Sequence, residues 1–197
     1  MNRYFVESTN FVHYYNKKEM AESRSHIQKY AMHFGTYMGI YWILKFSLFP
    51  LGLTIPFLLF LFLGLTLGVP FMGYYYTRIY RNKICGGEIS FGHAWMFSVF
   101  MYMFAALLTA VAHYIYFRFI DHGYIINTYT NILNAATQNT LPGMDSYITQ
   151  IKEAMNVIKA FSPTDITLQL LSQNVFYCSI LAIPTALIVM KRKKNIE

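Results

Sequence analysis

Residues 86–121 read GGEISFGHAWMFSVFMYMFAALLTAVAHYIYFRFID, and this stretch decides the fold. Two glycines and a serine precede an unbroken apolar run that ends in Arg118 and Asp121. Gly86 and Gly87 ease a turn, Ser90 can accept orphan amide hydrogens, and Glu88 suits the positive end of a helix dipole. A helix over 91–120 would be about 45 Å long, against a bilayer core of about 30 Å. It is long enough to cross a membrane with length to spare.

Towards the N-terminus, Pro50 and Gly52 separate two further apolar runs and predict spans over 30–49 and 53–76. Lys45 is the one charge in the first run and is expected to snorkel to the headgroups, with a functional intramembrane lysine as the alternative. Tyr74, Tyr75 and Tyr76 ahead of Arg78 have the form of an interfacial aromatic belt, and Pro70 is expected to kink the second span. Gly35 and Gly39 form one small-residue pair, Gly64 and Gly68 another. Both are expected to pack against a neighbouring helix, each other included, since helices without Cβ atoms can approach closely.

Towards the C-terminus the character changes. Within 122–161, Met144, Tyr147, Ile148, Ile151, Met155, Ile158 and Phe161 recur at three and four, one apolar helical face. A weaker helix over 125–136 precedes it, with Leu141, Pro142 and Gly143 as the turn. The expectation is an external amphipathic helical hairpin, either a cap over helix ends or a binding surface. Ser162, Pro163 and Asp165 then mark a helix start, and a last span runs over 163–190. Its first turns carry Gln169, Ser172, Gln173 and Asn174, which either line a polar site or lie among the headgroups.

The fold class expected is therefore all-α: four transmembrane helices forming a four-helix domain over 30–190, a tail over 1–29 and a basic tail over 191–197. With four spans, Arg3, Lys17, Lys18, Arg24, Lys29, Arg78, Arg81, Lys83 and Lys191, Arg192, Lys193, Lys194 share one side. Only Lys45, Arg118, Lys152 and Lys159 fall opposite, which accounts for all 16 basic residues. The positive-inside rule then puts both termini in the cytoplasm. The first twenty residues have no continuous apolar core, so a cleavable signal peptide is not expected.

Composition agrees with a membrane class: 197 residues with 17 Phe, 17 Tyr, 11 Met and only 13% charged residues. The net charge of +7 is explained by topology, and neither a basic helix nor an aromatic-studded sheet marks a nucleic-acid binder. Cys85 and Cys178 fall in a loop and a span and are not expected to pair. Neither has metal-ligand spacing, and no cofactor is expected.

Gly86, Gly87, Ser90, Phe91 and Gly92, with the exit at Asp121, resemble a bacterial membrane family known as domain of unknown function 4199. The likeness covers about residues 30 to 194, and its specific part is the Gly-Gly-x-Ile-Ser-Phe-Gly motif. Relatives often continue the aspartate with proline, whereas here His122 follows. The resemblance implies a small four-helix protein of the bacterial inner membrane, and more loosely a glycosyltransferase-associated role; it implies no catalytic residue.

The residues are compatible with three functions. The leading one is a non-enzymatic subunit or scaffold of an envelope or glycosyltransferase-associated complex, with the bilayer and either a membrane-protein partner or further copies of itself as partners. The second is a small oligomeric transporter or channel with a polar path through His113, Gln169, Gln173 and Asn174. His113 lies on the small face of the third span, with Ala105, Ala106, Thr109 and Ala110, either as a proton relay or as a buried histidine satisfied by a neighbour. An intramembrane enzyme ranks last, because Glu88 with His93, and Asp121 with His122, lack a third catalytic partner.

Overall fold

A computed structural model describes the backbone of residues 2–138 and 145–191, and side chains over 26–135 and 146–191. The side chains of Arg3, Lys17, Lys18, Arg24, Met144 and Arg192 to Lys194, and the turn at Leu141 to Gly143, lie outside these residues. Among the described residues the chain is all-α, with α1 (Asn2–Gly52), α2 (Pro56–Lys83), α3 (Phe91–Phe119), α4 (Tyr124–Gln138), α5 (Asp145–Lys159) and α6 (Pro163–Val189). The one β-bridge among the described residues joins Ile89 and Lys191.

Local chemistry explains the boundaries. No glycine or proline interrupts residues 2–34, so the tail and the first apolar run form one continuous helix. α1 passes Pro50 and stops at Gly52, and the amides of Leu53, Thr54 and Ile55 close the turn onto Pro50 and Leu51 carbonyls. α2 starts with Pro56 in its first turn, where a missing N–H costs nothing, and continues through Pro70 to Lys83. Arg81 and Lys83 thus occupy its last turn, at the negative end of the helix dipole. Ser90 caps α3 by accepting from the His93 amide at 3.4 Å. A capping box starts α6: the Asp165 amide donates to Ser162 Oγ at 3.2 Å, and the Ser162 amide to Asp165 Oδ2 at 2.9 Å.

α3 is the central helix. Ala94, Phe97, Ser98, Met101, Tyr102, Ala105, Ala106, Thr109, Ala110 and His113 are buried on it, and the smaller of these let two neighbours approach. α1 lies along one side. Phe34 meets Phe97 and Phe46 meets Tyr116, so α1 and α3 run parallel. α6 lies along the other side with its own small stripe of Cys178, Ala182, Thr185, Ala186 and Val189. Ile89 bridges Lys191 and Trp95 Nε1 donates to the Ser179 carbonyl, so α6 runs antiparallel to α3. α2 returns antiparallel to α1, with Phe49 against Phe62, the Tyr41 hydroxyl on the Leu65 carbonyl, and Tyr30 against Tyr80.

α2, α3 and α6 are long and apolar enough to cross a membrane. Much of their surface is bare apolar side chain: Phe57, Phe60, Leu67 and Phe71 on α2, and Phe176, Ile180 and Ile188 on α6, are exposed. α1 falls short on hydropathy because residues 33–41 include His, Thr, Tyr and Gly. α4 and α5 pack on each other as a helical pair, with Ile148 buried while Tyr147, Ile151, Ile158 and Phe161 of the same apolar face stay exposed.

Candidate ligand cavity

The small-residue pairs do different jobs. A Cβ on Gly35 would stand 2.7 Å from the Met101 carbonyl oxygen and 2.8 Å from Phe104 Cβ. One on Gly39 would stand 2.9 Å from a Leu108 methyl. Both glycines therefore set the α1–α3 approach. Gly68 faces the Tyr41 hydroxyl, while Gly64 has nothing within 4 Å.

The glycine motif shapes the α2–α3 turn. Gly86 (φ +67°) and Gly87 (φ +91°) take left-handed conformations that side chains resist, and the chain then bends back so that Ile89 and Lys191 exchange amide hydrogen bonds of 3.0 Å. Arg81 Nη1 donates to the Val189 carbonyl at 2.9 Å, so α2 also holds the end of α6. Tyr80 stacks on Phe97 with centroids 3.9 Å apart, and its hydroxyl meets His93 Nε2 at 2.9 Å. Phe91 is at the exposed edge, and Gly92 has open space where a Cβ would be. Both cysteines are free. Burial pushes the Cys85 thiol up, an effect that its hydrogen bond with Tyr80 partly offsets.

Asp121 is buried, and its carboxylate accepts from the Gly123 amide at 3.0 Å and the Ile125 amide at 3.2 Å. It thereby ties the first turn of α4 to the end of α3. His122 between them has φ +44°. A proline, locked near −65°, could not occupy that conformation.

Between α1, α3 and α6 the packing leaves a cavity of about 310 Å³. Trp42, Lys45, Phe46 and Phe49 of α1, Thr109, His113 and Phe117 of α3, and Ile166, Leu170 and Asn174 of α6 line it. Phe62 of α2 and Ile125, Ile126 and Ile158 of the helical pair complete the wall. His113 packs edge-on against Phe46 with centroids 4.2 Å apart. Lys45 is half-buried on this wall. Its amine stands 5.8 Å from the Trp42 ring centre and 5.5 Å from that of Phe62, on the cavity wall, because those π faces attract it within the packed helices.

Of the four polar residues picked out in the spans, His113 and Asn174 meet at this cavity, whereas Gln169 and Gln173 are exposed on another face of α6. Sequence reasoning did not place Lys45 and Trp42 in the site. The available signal was position: Lys45 lies three after Trp42, on the side of α1 that carries Tyr41 and Met38 inward.

Apolar helices of this length, packed about a cavity with a cationic wall, define a membrane-embedded helical protein. The chain belongs to the family described as Protein of unknown function (DUF4199), whose model matches residues 33–191. No match was found among curated proteins or solved structures.

Proposed function

We propose that this protein is a four-span inner-membrane protein of a bacterial cell that serves as a non-enzymatic subunit of an envelope or glycosyltransferase-associated complex. Its termini lie in the cytoplasm and the α4–α5 pair lies outside. The fourth crossing is α1. It packs along α3 from Phe34 against Phe97 to Phe46 against Tyr116, about 18 Å of α1 at 1.5 Å per residue, and this parallel packing on a span supports a crossing by α1.

The observation that carries the subunit reading is the outward placement of Gln169, Ser172 and Gln173 on α6. Gln173 is three residues from the middle of the helix, about 5 Å, too deep to reach the headgroups at low cost. A partner helix supplying hydrogen bonds satisfies it. Native mass spectrometry of protein extracted in mild detergent tests this. A stoichiometric second protein or second copy, weakened by Gln173→Leu, is expected. A lone chain in both detergent and native nanodiscs overturns it. The cavity favours a second reading, a small oligomeric transporter whose polar path includes Lys45, His113 and Asn174. Flux in liposomes that depends on those residues would establish it instead.

A further inference from the structure

The cavity joins features that a packed core avoids. Lys45 lies on its wall, and no carboxylate among the described residues lies within ion-pair distance of that amine. Burying an unpaired cation is costly, and a fixed counter-charge would remove the cost. Trp42 and His113 are nearly fully buried beside this cation, at 4% and 5% exposed, with Trp42 Nε1 and His113 Nδ1 turned into the packing and without a hydrogen-bond partner among the described residues. Thr109 has committed its hydroxyl hydrogen to the Ala105 carbonyl, which leaves its oxygen as an acceptor. Asn174 adds an amide. No described lining residue is acidic, and the rest of the wall is Phe, Ile and Leu.

We infer that this cavity binds the anionic head and proximal acyl chain of a single amphiphile, with Lys45 as counter-charge and Asn174 as a further polar contact. A carboxylate or phosphate offers the counter-charge and the acceptor oxygens that the Lys45 ammonium needs. An alkyl chain suits Phe49, Phe62, Phe117, Ile126 and Leu170. An apolar cavity of about 150 Å³ holds a benzene, so this one holds roughly a dozen heavy atoms, a head and a medium-length chain. The site stands whether the protein works alone or as a subunit. A free fatty acid and an anionic bilayer phospholipid share the chemistry, and the test separates them.

Trp42 makes the site observable. The chain has two tryptophans, so Trp95→Phe leaves Trp42 as the only indole emitter. The full-length variant is placed in phosphatidylcholine nanodiscs and titrated with ω-bromoundecanoate, with the neutral ω-bromoundecanol, or with brominated phosphatidylglycerol. Saturable quenching by the carboxylate is expected, with the alcohol weaker by about tenfold or more. Adding Lys45→Met should raise the half-quenching concentration of the carboxylate by about tenfold and leave that of the alcohol unchanged, while Lys45→Arg retains binding. Leu170→Phe, which fills the cavity without altering charge, should reduce quenching by both. Quenching by phosphatidylglycerol and not by the free acid would assign the bilayer as the source. Equal quenching by acid and alcohol, indifference to Lys45→Met in a variant of unchanged circular dichroism, or non-saturable quenching by every probe would overturn the inference.

Discussion

Gly35 of α1 rests on the main chain of α3 at Met101, so closely that a Cβ would lie 2.7 Å from the Met101 carbonyl oxygen. That contact, repeated one turn on at Gly39, holds two parallel helices together where lipid offers no hydrophobic drive between them. Gly35→Val should therefore destabilise the fold by about 1–3 kcal/mol, read as a lower melting temperature in detergent. Gly64→Val, with open space around it, should change the melt of the isolated chain by less than about 0.5 kcal/mol.

The Arg81 hydrogen bond to Val189 predicts a local effect. Arg81→Met removes a charged donor from a carbonyl at the end of α6, a loss of about 1.5–3 kcal/mol. Hydrogen exchange should quicken at Met190 and Lys191, whose amides donate to Ala186 and Ile89, and stay unchanged at the start of α6, where the capping box is independent.

The Asp121 turn gives a pair of opposed outcomes. His122→Gly should stabilise by about 1 kcal/mol, because glycine adopts φ +44° without the strain of a side chain. His122→Pro should destabilise by more than that, and Asp121→Ala should cost about 1–2 kcal/mol with faster exchange at Gly123 and Ile125. Thermal unfolding and exchange rates check all three.

Cys85 reports on both topology and environment. With Cys178 replaced by Ala, a membrane-impermeant maleimide should label Cys85 only when it reaches the face that carries Arg81 and Lys83. Because burial pushes the thiol up, less thiolate is present at neutral pH than for a free cysteine. Labelling should be slow at pH 7 and accelerate as pH rises beyond the usual thiol range. Tyr80→Phe removes the hydrogen bond that lowers the thiol, so it should slow labelling further at a given pH. A rate equal to that of a free thiol at pH 7 would refute the burial of this loop.

The sequence by itself determined the elements. Ser90 and the Ser162–Asp165 box are local devices whose hydrogen bonds reach no further than three residues, so they read correctly without a fold. The apolar lengths of α2, α3 and α6 likewise depend only on side-chain hydropathy. Which face of each helix turns inward depends on its neighbours. Adjacent positions on a helix differ by about 100°, and Asn174 enters the cavity while Gln173 beside it faces outward. The small stripe through Cys178, Ala182 and Ala186 carried a hint, since Asn174 lies one turn before it. Lys45 and His113, on different helices, share one cavity only because Gly35 and Gly39 let α1 settle on α3 in parallel register. Tertiary packing decided that meeting, because no local pattern encodes the distance between two helices.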